Sequence, residues 1–157
     1  MAQQKVKIQL PKGYSPKDRI SIGRDIIEAI QRRATEDNKG FNPDTGRDKT
    51  FAKYSKAYAK KKGVSRSDVD LILSAEMFND MKVLTDTSES VTIGFEAGTE
   101  SNAKAEGNQK GTYGNSRPVT EPRYFLGIQK NTLDRILKNY ERKGGSSANS
   151  QEDQTQG

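Results

Sequence analysis

The sequence contains neither cysteine nor histidine. Without cysteine, these residues can form no disulfide, no thiol nucleophile and no thiolate metal site. Without histidine, the usual proton carrier near neutral pH and the commonest zinc ligand are both missing. Catalysis by a Ser-His-Asp or Cys-His arrangement is therefore excluded, whereas chemistry that uses carboxylate or lysine side chains stays open.

Large apolar residues are also scarce. Hydrophobic residues make up 31% of the chain and the mean hydropathy is -0.96, against an apolar share of roughly 45–50% in average globular domains. A core this thin leaves a monomer marginally stable, so we expect neighbouring subunits to stabilise the fold. No stretch approaches the ~20 apolar residues of a membrane-spanning helix, so no membrane partner is predicted.

The chain carries an excess of positive charge. Its 27 lysines and arginines outnumber its 21 aspartates and glutamates, which gives a formal net charge of +6. An excess of this size permits an anionic partner such as nucleic acid or an acidic protein surface. Because the two signs are mixed along most of the sequence, a solvated surface is the simpler explanation.

Two regular elements are predicted near the start of the sequence. Val6, Ile8 and Leu10 alternate with polar residues, which is the period of a half-buried strand. A helix is predicted over residues 16–35, with Ser15 as its N-cap and a proline at its first position. The apolar stripe of this helix consists of Ile22, Ile26, Ile27 and Ile30.

Residues 40–50 are rich in turn-forming residues and are predicted to form a loop. The spacing of Asn42, Asp44 and Asp48 resembles that of a calcium-binding loop. The required glycine placement and the late bidentate glutamate are missing, so the turn interpretation is favoured and no metal is predicted.

The next segment combines aromatic residues with lysines. Phe51, Tyr54 and Tyr58 recur at helical spacing and predict a short helix. The lysines that follow them are Lys60, Lys61 and Lys62. Aromatic residues among lysines can stack on bases and hold phosphates. The favoured interpretation is a helix with its aromatic residues buried and its lysines in water.

Further along, Met77 and Phe78 predict a short helix, and Met81 and Val83 lead into a strand. A second strand is predicted from the alternation of Val91, Ile93 and Phe95. These patterns predict an α+β fold, with one domain over residues 1–143. In it, a small antiparallel sheet made of the N-terminal strand and this β-hairpin packs against amphipathic helices.

Two stretches are predicted to lack regular structure. Residues 97–122 are poor in large apolar groups, and their Gly107–Asn115 part lacks any period. This predicts a long polar loop that orders only against a partner, and so a candidate inter-subunit arm. Residues 144–157 are mainly Gly, Ser, Asn, Gln and acidic residues, and they predict a disordered tail.

A compact apolar segment preceded by Arg123 stands before the last predicted helix. Its members are Tyr124, Phe125, Leu126 and Ile128. This segment is a candidate interaction site, because an apolar run flanked by arginine and proline suits a strand or wedge that docks on a partner. Packing in the core against the last helix is the slightly favoured alternative. That helix is predicted from Leu133, Ile136, Leu137 and Tyr140.

Three segments occur in an order that resembles a known family. The first is Phe51-x-x-Tyr54-Ser55-x-x-Tyr58 followed by Lys60-Lys61-Lys62-Gly63. The second is Leu71-x-Leu73-Ser74-x-x-Met77, followed by the hairpin that ends in Val91-x-Ile93-Gly94-Phe95. The third and most specific is Arg123-x-Phe125-Leu126-Gly127-Ile128, with a helix directly after it. This constellation resembles phage virion-morphogenesis proteins of the tail-completion type, which act where head and tail join.

The resemblance implies an α+β fold, a multi-subunit ring and a place in the virion after assembly in the host cytoplasm. It also implies partners among other neck and tail proteins, such as the tail terminator, the tube or the connector, with no cofactor. In such a ring, Lys60, Lys61 and Lys62, together with Arg32 and Arg33, face either packaged DNA or water. The sequence departs from the family at Ala75, where a glycine is frequent, and over residues 102–107, where an aromatic residue and a histidine are frequent.

Two other classes of function compete with this interpretation. A basic nucleic-acid-binding protein is the main alternative, although no zinc finger, RNA-recognition signature or recognition helix supports it. An enzyme that uses carboxylates such as Glu28 or Glu76 is the other, but both residues have the positions of helix-surface residues. We therefore expect a structural protein and no enzymatic activity.

Overall fold

The structure is a computed structural model that describes residues 2–37, 39–50, 75–110 and 123–141. Several sequence-based predictions lie outside these residues. They are the helix over residues 51–63 with Lys60, Lys61 and Lys62, the part of the polar loop over residues 111–122, and the tail over residues 144–157.

The described residues form five strands and four helices. The strands are β1 (Lys5–Gln9), β2 (Lys39–Asn42), β3 (Arg47–Thr50), β4 (Lys82–Thr87) and β5 (Ser90–Gly94). The helices are α1 (Pro16–Glu36), α2 (Ala75–Asn79), α3 (Glu100–Lys110) and α4 (Lys130–Glu141). Helices and small antiparallel sheets together make an α+β fold, as predicted.

The main sheet has three antiparallel strands in the order β1-β5-β4. The N-terminal strand thus pairs with the second strand of the predicted hairpin, with Ile8 opposite Val91. Strand residues alternate between the two faces of a sheet. Ile8, Val91 and Ile93 are buried on the face that meets α1. Polar residues, Lys5 and Lys7 among them, occupy the outer face.

Helix α1 covers the inner face of this sheet. The Oγ atom of Ser15 accepts a hydrogen bond from the backbone N–H of Asp18, so Ser15 is the predicted N-cap. The buried residues on its stripe include Ile22, Ile26 and Ile30. Gly23 allows close approach to the sheet, because a β-carbon there would lie 2.7 Å from Cγ2 of Val83.

The prediction of a loop over residues 40–50 was wrong. Strands β2 and β3 form a two-stranded antiparallel hairpin in which Phe41 lies opposite Asp48, and the turn residues 43–46 close it. These short strands contain a single large apolar residue. The period-2 signal that marks a half-buried strand was therefore absent, and only the turn was visible in the sequence.

The prediction of an irregular loop was also wrong for the start of residues 97–122, where α3 forms. The buried residues of α3 are mostly polar and include Ser101, Asn102, Asn108 and Gln109. Helices are recognised in a sequence by an apolar stripe. Because the buried face of α3 is built from amides and a hydroxyl, its sequence carries no such stripe.

The last helix, α4, runs where it was predicted and packs on α1. Leu137 is buried in the core. The hydroxyl of Tyr140 donates a hydrogen bond to Oδ2 of Asp25 at 2.6 Å. Burial, followed by the hydrogen bond and the charge of Asp25, raises the pKa of Tyr140 well above its ordinary value.

Candidate functional site

Residues 123–129 have no regular secondary structure and connect the motif arginine to α4. Phe125 and Leu126 are almost completely buried. The ring of Phe125 stands edge-on to Phe78 at 5.3 Å and to Phe95 at 6.2 Å between centroids. Such aromatic pairs add to the stability that burial provides. For Phe125 and Leu126, the structure therefore favours core packing over docking on a partner.

Helix α1 holds this segment through Arg33. Nη2 of Arg33 donates to the carbonyl oxygen of Phe125 at 2.5 Å, and Nη1 donates to that of Gly127 at 2.9 Å. Nη1 also lies 3.2 Å from Oδ1 of Asp48 on β3. Burial lowers the pKa of Arg33, and the nearby Asp48 partly opposes that effect. The guanidinium thus joins α1, the 123–129 segment and the small hairpin.

The expectation that Arg32 and Arg33 share one role was wrong for Arg33. Its side chain is buried inside the fold, so it faces neither a channel nor water, whereas Arg32 is exposed. A signal was present in the sequence, since Arg33 lies three residues after Ile30 and continues the apolar stripe of α1. Because Arg33 is charged, it was not predicted among the buried residues of α1.

Helix α3 holds the same segment from another side. Oε1 of Gln109 accepts the backbone N–H of Leu126 at 3.1 Å, and its Nε2 donates to Oε1 of Gln4 at 2.6 Å. The carbonyl oxygen of Asn108 accepts the N–H of Arg123 at 2.7 Å. The buried polar residues of α3 therefore satisfy backbone groups that would otherwise be desolvated without partners.

Asn102 extends this polar network to the N-terminal segment. Its Oδ1 accepts the backbone N–H of Gln4 at 2.7 Å, and its Nδ2 donates to the carbonyl oxygen of Ala2 at 3.0 Å. Sequence reasoning did not single out Asn102, Gln109 or Gln4. An amide in a polar stretch has the same composition whether it is solvated or buried.

Strand β2 completes the enclosure of the segment. The backbone N–H of Phe41 donates to the carbonyl oxygen of Tyr124 at 2.8 Å. A β-carbon on Gly127 would lie 2.2 Å from Cδ2 of Phe41. The guanidinium carbon of Arg33 lies 5.9 Å from the centroid of the same ring, within the range of a cation–π contact. The glycine of the motif is therefore required by the ring that packs on it.

Of the candidate interaction residues, Tyr124 and Ile128 keep part of their surface in solvent. Both also pack against the core. Burial raises the pKa of Tyr124. Arg123 is buried with the rest of the motif. The segment is thus first of all an internal element of the fold, and among these candidate residues only Tyr124 and Ile128 offer surface to a partner.

Two depressions flank strand β4. One has a volume of about 440 Å³ and lies between α1 and β4, lined by Ile20, Arg24, Ile27 and residues 81–86. The other has a volume of about 560 Å³ on the outer face of the sheet, lined by Gln3, Lys5, Lys7, Leu84, Thr85 and Thr92. Leu84 and Thr85 belong to both, so the two depressions meet at the edge of the sheet.

Among the described residues, no group of three or more acidic side chains is arranged to hold a metal ion. Glu28 is an exposed residue of α1. In the ranges that the structure covers, no helix is both long enough and apolar enough to span a bilayer.

Comparison of the chain with models of known protein families found no match, and comparisons with curated proteins and with solved structures found none either.

Proposed function

We propose that this protein is a structural component of a phage virion that acts in tail completion, where head and tail join. In this role it forms part of a multi-subunit ring at the neck and contacts other neck or tail proteins. The observation that carries the proposal is the order of three sequence segments, which ends in Arg123-x-Phe125-Leu126-Gly127-Ile128 followed directly by a helix.

The geometry of the third segment supports the proposal. Three of its residues have a clear physical role: Phe125 and Leu126 fill the core, and Gly127 accommodates the ring of Phe41. The segment ties three elements together through Arg33, Gln109 and Phe41. Residues with such roles recur together when a fold is shared, because replacing any of them leaves a cavity, a clash or an unpaired polar group.

The composition supports an assembly role as well. A chain with 31% hydrophobic residues has a small core and draws additional stability from neighbouring subunits. Several polar side chains, such as Arg33, Asn102 and Gln109, lie inside the fold in hydrogen bonds that hold the chain in one arrangement. A subunit of a ring needs such a fixed arrangement, because each copy must present the same surfaces to its neighbours.

The proposal is tested first by the native mass of the purified full chain, measured by light scattering at low and high salt without nucleic acid. We expect a discrete ring-sized oligomer, or a monomer that assembles when neck or tail proteins are added. A monomer at both salt concentrations that ignores those proteins and binds DNA tightly at low salt would contradict the proposal. That result would favour a basic nucleic-acid-binding protein, whose affinity falls as salt rises.

A second test inactivates the gene in the phage or prophage that carries it. We expect electron micrographs of the lysate to show filled heads and separate tails that have not joined. Supplying the intact protein from a plasmid should restore joined particles. Normal particles in the absence of the protein would contradict a role in head–tail joining.

A further inference from the structure

Two large apolar side chains lie outside the core beside strand β4. Ile20 on α1 and Leu84 on β4 are both only partly buried. Other partly buried apolar residues, such as Val6 and Val83, pack against the core cluster, but Ile20 and Leu84 do not belong to that set. Both line the groove of about 440 Å³ between α1 and β4. The groove therefore offers apolar surface that the described part of the chain leaves partly uncovered.

Leu84 keeps part of its surface in solvent, and the strand is irregular at this residue. Val83 pairs with Ile93, whereas Thr85 pairs with Thr92, so Leu84 has no partner on β5. This is a β-bulge, a feature that redirects a side chain and interrupts pairing. The bulge brings Leu84 to the point where the groove meets the depression on the outer face of the sheet.

The charged side chains around Leu84 that form no ion pair with the described residues are positive. Arg24 lines the groove, and Lys5 and Lys7 line the outer depression. All three are exposed, and none forms a salt bridge within the part of the chain that the structure describes.

Two carboxylates near this surface are already engaged in ion pairs. Asp86 lies 2.9 Å from Nη2 of Arg19, and Glu96 lies 2.5 Å from Nζ of Lys82. Carboxylates on a partner that covers the surface would therefore find Arg24, Lys5 and Lys7 available for pairing.

Pairing of this edge with a second copy of the chain is disfavoured. Addition of a strand needs a regular edge, and a bulge is one of the features that protect an edge strand from such pairing. Two copies would also bring Arg24, Lys5 and Lys7 towards the same charges on the other copy. Opposite charges across an interface favour association, whereas like charges oppose it.

We infer that the surface around Leu84 binds a segment of a partner protein in which an apolar side chain is flanked by carboxylates. The apolar side chain enters the groove between Ile20 and Leu84, and the carboxylates pair with Arg24 on one side and with Lys5 and Lys7 on the other. This is the usual arrangement of an interface, with an apolar centre and a polar rim. The inference rests on the proposed function only for the identity of the partner, which would be another neck or tail protein.

The test uses a library of random peptides and the purified full chain, so it needs no phage component. Peptides are selected on the wild-type protein after removal of those that also bind Leu84→Asp. We expect the selected peptides to share an apolar residue with Asp or Glu on both sides. Selection of no such peptides, or of peptides without acidic residues, would overturn the inference.

The affinity of a selected peptide is then measured by fluorescence anisotropy for charge variants. Arg24→Glu should weaken binding by about tenfold or more, which corresponds to ~1.4 kcal/mol. Arg135→Glu, an exposed arginine on α4, is the matched control and should leave the affinity within about twofold. Arg24 is exposed, so its replacement does not threaten folding, and circular dichroism checks this for every variant. Equal effects of the two charge reversals would contradict recognition at this surface.

Two further outcomes identify a different occupant and would overturn the inference. Conversion of an oligomer to a monomer by Leu84→Asp would assign the surface to a second copy. Binding of duplex DNA that is lost in Lys5→Glu/Lys7→Glu and is not displaced by the acidic peptides would assign it to nucleic acid. If the inference fails while the chain still forms a ring, the proposed function stands without it.

Discussion

The ring of Phe41 occupies the space that a β-carbon on Gly127 would need, with Cδ2 of Phe41 2.2 Å from that position. The two residues lie on different elements. A backbone hydrogen bond from the N–H of Phe41 to the carbonyl oxygen of Tyr124 holds strand β2 close to the segment that contains Gly127. A side chain at residue 127 can therefore be accommodated only if the ring moves or the segment shifts away from β2.

We expect Gly127→Ala to lower the free energy of unfolding by ~1–3 kcal/mol, the usual cost of overpacking a closely packed site. The measurement is chemical denaturation followed by circular dichroism. The same substitution in a Phe41→Ala background should cost clearly less, because the clashing ring is gone. An equal cost in both backgrounds would show that the ring is not the reason for the glycine.

Arg33 and Arg32 are adjacent in sequence but differ in environment, which provides a matched pair. Arg33→Met removes the donors to Phe125 and Gly127 and leaves Asp48 without its partner, so we expect a loss of at least ~2 kcal/mol in stability. Arg32 is exposed and lies 3.8 Å from Glu28 and from Glu36. Arg32→Met should change stability by no more than ~0.5 kcal/mol. Similar losses in both variants would contradict the structural role of Arg33.

Gln109 offers a second matched pair, with its neighbour Lys110. Gln109→Ala removes two buried hydrogen bonds and leaves the N–H of Leu126 without its acceptor, so we expect a loss of ~1–3 kcal/mol. Lys110→Ala removes one exposed ion pair with Glu106 and should cost less than ~1 kcal/mol. Hydrogen exchange of the Leu126 amide should increase more in Gln109→Ala than in Lys110→Ala. Unchanged protection of that amide would contradict the proposed contact.

The contact between Tyr140 and Asp25 predicts a dependence of stability on alkaline pH. The folded-state pKa of Tyr140 is raised, mainly by burial, so the folded protein holds this proton more tightly than the unfolded chain does. Stability from this group is therefore complete below the unfolded-state pKa of about 10 and is lost as pH rises from there towards the folded-state value.

Tyr140→Phe tests this dependence. At about pH 8, the variant should be less stable than the wild type by ~1 kcal/mol or more, because the hydrogen bond to Asp25 is lost. At about pH 11, the difference should shrink, because only the wild type loses stability through this ionisation. Chemical denaturation at both pH values measures this difference in stability. A difference that stays constant with pH would contradict the role of Tyr140 ionisation.

Contact with packaged DNA is predicted for three consecutive lysines, Lys60, Lys61 and Lys62. If they line a channel, replacing all three by glutamate should reduce the fraction of particles that retain DNA, while joined heads and tails still form. Repulsion between the introduced carboxylates and phosphates is the physical reason. Electron microscopy separates the two effects, and unchanged infectivity would contradict a role in DNA contact.

The sequence by itself determined the elements that have an apolar period. The isoleucines of α1 and the alternating residues of β1 and β5 predicted the sheet, its covering helix and the α+β class, because burial of one face repeats with the geometry of the element. The same reasoning placed α4 directly after the apolar motif.

Only the tertiary structure decided what the polar residues do. Gln109 and Asn102 are buried and form hydrogen bonds with backbone groups, and buried Arg33 joins separate elements through hydrogen bonds. Residues 39–50 form a hairpin. Each of these stretches nevertheless has the composition of a solvated surface. The tertiary fold likewise decided between the two interpretations of the 123–129 segment, since it buries Phe125 and Leu126 in the core, and it left Leu84 only partly buried. The reason is that a polar group is stable in water or in a complete set of hydrogen bonds, and only the positions of its neighbours distinguish the two.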